Sequence, residues 1–390
     1  RNTMGKQASS PKKPNILIRL VALLVTAVLL LGALILVVYR EELNLDALKR
    51  WFEYRNLETS ESGEAAPFSH AGGNQLSLAY LENGVLMASD TGARYYSFSG
   101  ELYAEEVQTL ETPVLTASGA YGVVYDAGGQ DLFVFRGMEE AVHLTLEGGG
   151  TLLSARVNDS GWLAVTSQGG GHRGTVTVYD SSYSRKMIQI NLSNYIVDAA
   201  VSPDCQTVAI VTLGQEGGSF QSQIQFYPVD QKEPSATVSL GNVVVLDLDY
   251  EDDLLWVLGE DRVFAVTQEG TVAGTYTLGQ EHLKGCSFGG EGFALLLLGR
   301  YQAGVAEQAV IVGPDGTEQA AISLSSGVLG FDAAGRYVAL LTGNELSLYT
   351  SDFSSYSTLD HTQNAGYLSL SSSGAALLAN AQQAWLYLPA

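Results

Sequence analysis

The feature that most restricts the fold of this 390-residue chain is a short apolar strand that recurs eight times. The copies lie 36 to 47 residues apart and begin at Val85, Tyr121, Trp162, Thr207, Leu254, Phe293, Tyr337 and Ala375. Turn-rich sequences flank them, for example residues 158–161, 202–205 and 332–335. A period of about 40 residues is typical of one four-stranded blade of a β-propeller. The repeats therefore predict an all-β propeller of eight blades, with seven blades as the alternative.

The last repeat is one strand short, because the chain ends after the strand at residues 385–388. A closed ring then needs a strand from the start of the domain, and residues 65–69 are placed to supply it. An alternation of helices and strands is absent from the sequence after residue 65, which argues against an α/β fold.

An uncharged run begins at Leu20 and ends at Tyr39, before the first repeat. About 20 apolar residues, each rising about 1.5 Å, suffice for a helix to cross a bilayer. We therefore expect a basic cytoplasmic tail over 1–15, a transmembrane helix over 16–40 and a helical juxtamembrane stalk over 41–57. A linker over 58–64 and an extracytoplasmic propeller over 65–390 complete the predicted organisation.

The charges on either side of this run predict its orientation. Five basic residues and no acid precede Leu20, whereas Glu41, Glu42 and Asp46 follow Arg40. Basic flanks stay on the cytoplasmic side, so the N-terminus is expected inside and the propeller outside. A cleaved signal peptide is the competing interpretation, but its apolar region would be shorter and would end in small residues. The pattern favours an uncleaved, single-pass signal-anchor in the cell membrane.

The predicted propeller is strongly acidic. Residues 66–390 hold 11 basic and 35 acidic residues, a net charge of −24. Such a field repels nucleic acid and anionic lipid headgroups, so a nucleic-acid partner is not expected. The lipid bilayer is the partner predicted for the uncharged run, and an envelope protein or small ligand is the partner predicted for the propeller.

Long connections between the second and third strands of three repeats suggest where a ligand binds. They span residues 168–173, 213–221 and 299–307, and propeller topology places such connections on one face. Variable connections on a rigid scaffold commonly carry binding. The residues of the candidate binding face are His172, Arg173, Gln215, Glu216, Arg300, Tyr301 and Gln302.

The sequence shows no pattern typical of a catalytic, cofactor or metal site, so the chain is predicted to be non-catalytic. The expected function is a protein-interaction or ligand-recognition platform in the bacterial cell envelope. Two alternatives stay open: a divergent propeller enzyme of quinoprotein or hydrolase type, and an envelope sensor that works through a membrane partner.

Several motifs resemble known propellers. The turn Ser202-Pro203-Asp204 before an apolar strand is similar to turns of TolB-like and WD-type propellers, and residues 125–129 are similar to quinoprotein blades. The stalk sequence at 48–55, together with residues 126–129 and 197–204, resembles the bacterial domain-of-unknown-function family numbered 5711 over nearly the whole chain. This resemblance implies a single-pass membrane protein with a β-propeller ectodomain, and it implies no activity.

Overall fold

The computed structural model describes residues 16–38 and 45–389, in which two helices precede 32 strands. Helix α1 is Ile16–Val38 and α2 is Leu45–Tyr54. The chain divides into two compact units between Glu53 and Tyr54. Within the described residues, no helix meets the length and hydropathy that crossing a membrane requires. The predicted tail at 1–15, residues 39–40 of the predicted span and residues 41–44 of the predicted stalk lie outside the described residues.

The second unit begins with β1 (Phe68–Ser69), followed by blades of four antiparallel strands. Blade 1 comprises β2 (Ser77–Leu81), β3 (Gly84–Ser89), β4 (Gly92–Tyr96) and β5 (Leu102–Glu106). Blade 2 comprises β6 (Pro113–Ser118), β7 (Tyr121–Asp126), β8 (Asp131–Arg136) and β9 (Glu139–Thr145). Blade 3 comprises β10 (Thr151–Val157), β11 (Leu163–Gly169), β12 (His172–Tyr179) and β13 (Lys186–Leu192). Blade 4 comprises β14 (Tyr195–Val201), β15 (Thr207–Glu216), β16 (Ser219–Pro228) and β17 (Ala236–Gly241).

The remaining four blades follow the same order. Blade 5 comprises β18 (Val245–Glu251), β19 (Leu254–Gly259), β20 (Arg262–Thr267) and β21 (Val272–Thr277). Blade 6 comprises β22 (His282–Gly290), β23 (Phe293–Gly299), β24 (Gln308–Val312) and β25 (Glu318–Ser323). Blade 7 comprises β26 (Val328–Ala334), β27 (Tyr337–Thr342), β28 (Glu345–Thr350) and β29 (Ser355–Asp360). Blade 8 comprises β30 (Tyr367–Leu370), β31 (Ala376–Ala379), β32 (Gln383–Tyr387) and the early strand β1.

The first strand of each blade contacts the first strands of both neighbouring blades, so these eight strands form a closed ring around a central channel. The recurring apolar strand of the sequence is the second strand of each blade, and it is almost wholly buried. Eight apolar clusters lie between successive blades, one at each junction. The prediction of an eight-bladed propeller is confirmed.

Closure of the ring follows the expected route. β1 pairs with β32 through Phe68 opposite Ala384 and Ser69 opposite Gln383. The amide of Ala65 donates to the carbonyl of Leu386, which extends this pairing towards residue 63. The predicted linker over 58–64 lies largely within a turn in which Thr59 bridges Ala65. The last blade is therefore completed by the segment that enters the domain.

The antiparallel blades give the ring two distinct faces. We call the face where second and third strands are joined the hairpin face, and the opposite one the turn face. In blades 3 and 4 the predicted long loops are extensions of paired strands, joined at Gly170–Gly171 and Gly217–Gly218. All four glycines have φ between 59° and 88°, the left-handed conformation that two-residue hairpin turns favour. Only the blade 6 connection, after Gly299, is a true loop.

Candidate functional site

All seven residues of the predicted binding face lie on the hairpin face, in three different blades. His172 and Arg173 begin β12 in blade 3, and Gln215 and Glu216 end β15 in the adjacent blade 4. The Arg173 guanidinium lies 5.1 Å from the centre of the Tyr195 ring, which links the two blades through a cation–π contact. Gln215 lines a small cavity of about 190 Å³. The side chain of Glu216 is not among those that the structure describes.

The blade 6 residues Arg300, Tyr301 and Gln302 lie in a loop that side-chain contacts hold in place. The short hairpin of blade 5 separates this loop from blade 4. Lys284 Nζ donates to the carbonyl oxygens of Tyr301 and Gln302 at 2.6 and 2.8 Å. Arg300 Nε pairs with Glu307 Oε2 at 2.9 Å. These contacts hold the loop backbone while the Tyr301 side chain stays 69% exposed. The loop therefore presents an aromatic ring on an ordered support.

A repeated β-bulge shapes the channel mouth on the same face. In blades 3 to 7 the first strand carries one unpaired residue near its hairpin-face end. We call these five residues the collar: Leu153, Val197, Leu246, Lys284 and Leu329. Bulges commonly re-aim a side chain. Leu246 and Leu329 are 54% and 56% exposed, so apolar groups are open to solvent at this mouth.

Exposed large apolar side chains are unevenly shared between the two faces. In the described part of the propeller, eight belong to the hairpin face: Val107, Tyr195, Phe220, Val244, Leu246, Tyr301, Val305 and Leu329. Three belong to the turn face: Leu102, Met138 and Val272. Exposed apolar side chains that are concentrated on one face are a feature of interaction surfaces. The asymmetry therefore favours the hairpin face for binding.

Deeper in the channel, Arg156 of β10 joins three blades. Its Nε donates to Asp198 Oδ2 of blade 4 at 2.7 Å, and its Nη2 donates to Asp247 of blade 5. The Ser154 hydroxyl donates to the other Asp198 oxygen at 2.5 Å. The Arg156 and Asp198 side chains are only 19% and 10% exposed. Although burial lowers the pKa of Arg156, the three carboxylates of Asp198, Asp247 and Asp249 raise it above its ordinary value.

Towards the turn face this network opens into a cavity of about 190 Å³, lined by Asp249 and Glu251. Water in the channel reaches the Asp249 side chain, but the surrounding protein limits the hydration of its carboxylate. This partial desolvation raises the pKa of Asp249 to about 6, although the positive charge of Arg156 acts in the opposite direction. Burial, with the nearby charges of Asp249 and Asp252, raises the pKa of Glu251 to about 8. Both acids therefore titrate at a higher pH than ordinary carboxylates do.

A second acid crosslinks blades on the opposite side of the ring. Asp332 of β26 accepts hydrogen bonds from the Ser287 hydroxyl at 3.0 Å and the Leu370 amide at 2.8 Å. Burial outweighs these hydrogen bonds and raises the pKa of Asp332 to about 6.

Residues 332–335 were expected in a turn, but this prediction is wrong, because Asp332 to Ala334 belong to β26. Over 16–38 and 45–389, no group of three or more His, Cys, Asp or Glu is arranged to hold a metal ion.

The channel network is the part of the site that the sequence patterns did not single out. Its signal is the alternation Asp247-Leu248-Asp249-Tyr250-Glu251, which puts three acids on one first strand. The recurring pattern lies in the apolar second strands, so it carries no signal for the charges of the first strands. The hairpin-face residues were found because the long connections stand out in length.

Comparison with known proteins agrees with this architecture. Residues 53–358 match the family of unknown function DUF5711. The chain belongs to this family. The resemblance noted from the stalk and blade motifs is therefore confirmed. No curated protein matches the chain in sequence.

Two solved structures show the fold that DUF5711 adopts here. BamB from Moraxella catarrhalis is 13% identical, with a TM-score of 0.52 over 83% of this chain and 96% of that chain. The computationally designed Ika8 protein is 12% identical, with a TM-score of 0.58 over 82% of this chain and 97% of that chain. At such low identity the similarity establishes the propeller fold alone.

Proposed function

We propose that this protein is a membrane-anchored, extracytoplasmic platform of the bacterial cell envelope whose hairpin face binds a partner protein or ligand without catalysing a reaction. The observation that carries the proposal is the exposure of apolar side chains on that face, where eight large ones lie against three on the turn face. Because exposed apolar surface is costly unless it is covered, this distribution favours an occupant on one face only.

The support beneath these side chains suits a binding role. Phe220 is the second residue of β16 in the long hairpin of blade 4, and it is 63% exposed. The ten-residue strands of that hairpin pair along their whole length, so the aromatic ring sits on ordered backbone. Tyr301 is held by the Lys284 bonds to its loop. A rigid aromatic anchor loses little entropy on binding, which is why such residues are common at the centre of interfaces.

The uncharged run from Leu20 to Tyr39 and the charges on either side of it support the proposed membrane anchor and the extracytoplasmic location of the propeller. The described large side chains of this run are at least half exposed, including Leu23, Leu29 and Leu34. A surface of this kind is favourable in hydrocarbon and unfavourable in water. The basic residues before the run support a cytoplasmic N-terminus. The net charge of −24 on the propeller favours a partner that is neutral or basic where it docks.

Site-specific photocrosslinking in the native membrane tests this proposal. A photoreactive amino acid replaces Phe220 or Tyr301 on the hairpin face, and Met138 or Val272 on the turn face serves as the matched exposed apolar control. We expect one reproducible crosslinked product from the hairpin-face positions and none from the controls. Equal products from both faces, or products from the turn face alone, would contradict the proposal.

A further inference from the structure

A polar groove of about 660 Å³ runs between blades 2 and 3 at the outer side of the ring. It extends from the blade 3 hairpin at His172 to the connection before Lys186. Its volume lies within the range of about 300 to 1,000 Å³ that is usual for small-molecule sites. The groove is separate from the channel, and its floor is a sheet face of blade 3.

The alternation of residues in β12 and β13 explains why this face is polar. Thr175 pairs with Asn191 and Thr177 with Gln189, and all four side chains face blade 2. The intervening Val176 and Val178 point the other way, into the apolar cluster with blade 4. One face of the same two strands is therefore core, and the other is a polar floor.

Three other blades fill the corresponding place with apolar side chains. The third strands of blades 2, 5 and 6 direct Phe133, Phe264 and Val310 into the cluster shared with the preceding blade. Blade 3 has Thr175 and Thr177 there instead. The large groove is therefore not a general property of the ring, and blade 4, which carries the polar Gln223 at the corresponding place, has a cavity of only about 190 Å³ there.

The groove offers hydrogen-bonding groups that the described chain does not use. Asn191 Oδ1 accepts from the Thr175 hydroxyl at 3.1 Å and from Gln189 Nε2 at 3.4 Å. Across the described residues, the hydroxyls of Ser167 and Thr177 and the side-chain amide of Gln168 have no hydrogen-bond partner within the protein. An occupant with both donors and acceptors would satisfy these groups.

The lining identifies the class of occupant. Uncharged hydroxyl and amide side chains make up the floor, and Tyr179 adds an aromatic ring at one end. Ionisable side chains stand at the edges only: Glu147, Lys186 and His172. An anionic ligand would need convergent basic groups, and an apolar ligand would need an apolar floor. A neutral molecule with many hydroxyls meets the donors, the acceptors and the ring together.

We propose that this groove binds a neutral oligosaccharide, whose hydroxyls exchange hydrogen bonds with the Ser, Thr, Asn and Gln side chains of blade 3. The groove shares His172 with the candidate binding face, but Gln189 and Asn191 do not belong to that face, so variants at these two positions test the groove alone. Failure of one proposal leaves the other standing.

Binding of the purified full-length chain to defined oligosaccharides tests the groove. The protein is kept in a polyoxyethylene detergent, since sugar-headed detergents would compete. The probes are an array of neutral oligosaccharides, with sulfated and carboxylated oligosaccharides and extended peptides beside them. Calorimetry on the tightest neutral probe then compares three variants: Gln189→Ala with Asn191→Ala, the isosteric Thr177→Val, and Gln223→Ala with Ser239→Ala as the control.

The control pair holds the same register position in blade 4, where Gln223 lines a cavity of only about 190 Å³. We expect both groove variants to keep their folded circular dichroism spectrum. The amide pair should bind about tenfold or more weakly, as the loss of two hydrogen bonds predicts. The control should bind like the wild type. The proposal would be overturned if no neutral oligosaccharide bound, or if only acidic probes or peptides bound. It would also be overturned if both groove variants bound the neutral probe with the affinity of the wild type.

Discussion

The Arg156–Asp198 ion pair is expected to stabilise the propeller strongly, because it joins blades 3 and 4 where water is largely excluded. Replacing Asp198 with Ala removes the 2.7 Å bond to Arg156 Nε and the acceptor of the Ser154 hydroxyl and the Ala199 amide. The guanidinium keeps its ion pair with Asp247, whose side chain is 45% exposed, and the nearby charge of Asp249. One buried charge therefore loses its main partner.

The structure sets the size of the effect. Removing one partner of a buried ion pair typically costs about 3 to 5 kcal/mol. Because Asp247 continues to neutralise part of the charge, we expect about 3 kcal/mol for Asp198→Ala. The double variant, Arg156→Met with Asp198→Ala, no longer buries an unpaired guanidinium. Its loss should be about 2 kcal/mol smaller than the sum of the two single losses.

Urea denaturation of the purified full-length chain, followed by tryptophan fluorescence, measures these changes. Asp261→Ala is the matched control, since Arg262 and Asp261 are neighbours in the chain and their side chains are 35% and 50% exposed. An exposed pair of this kind contributes about 0 to 1 kcal/mol. Strict additivity of the two single losses, or a loss for Asp198→Ala no larger than for Asp261→Ala, would refute the account of the channel network.

Three further predictions concern pH, ring closure and topology. Glu251→Gln should flatten the pH dependence of the unfolding free energy. Because burial raises the pKa of Glu251 to about 8, its protonated form stabilises the fold at low pH, and this contribution is lost as pH rises from about 4.5 through 8. The same pH dependence of the unfolding free energy in the variant and the wild type would count against this prediction. Deleting residues 1–70 removes β1, which exposes the edge of β32 and should cause aggregation by light scattering, whereas deleting residues 1–57 should leave a monomer; identical behaviour would argue against this closure. Protease added outside wall-free cells should digest the propeller but spare a tag before residue 1, and Val28→Arg should disfavour insertion by about 2.5 to 3.5 kcal/mol; a protected propeller would reverse the proposed orientation.

The ring could be predicted because each blade repeats one strong signal. The apolar second strand must be buried between two neighbouring blades, so its pattern survives in every repeat. The need for a closing strand followed from counting the strands of the last repeat. β1 meets that need through the pairing of Phe68 with Ala384.

The hairpins of blades 3 and 4 show where local patterns fail. Glycine-rich polar sequence is typical of loops, and residues 168–173 and 213–221 fit that description. In the structure the paired backbone continues almost to the turn, and only two glycines bend in each hairpin. Cross-strand hydrogen bonds made by adjoining residues override the local preference.

The channel acids and the outer groove were beyond sequence reasoning for a different reason. Asp332 is hydrogen-bonded to residues of blades 6 and 8 that lie 45 and 38 positions away in the chain, respectively. The polar face of blade 3 becomes a groove only because blade 2 leaves it uncovered. Both features depend on which individual side chains meet between neighbouring blades, and the repeat pattern of a single sequence carries no direct signal for that.

The central claim is that the hairpin face binds the partner, and exchange of its three long connections tests it most directly. Three variants are made, and in each one a single connection is replaced by a two-residue Asn-Gly turn: residues 168–173, 213–221 or 299–307. The melting temperature of each variant is measured together with its capture of the crosslinked partner. We predict that all three variants stay folded and that capture falls when the connection carrying Phe220 or Tyr301 is removed. Undiminished capture by all three folded variants would contradict the claim.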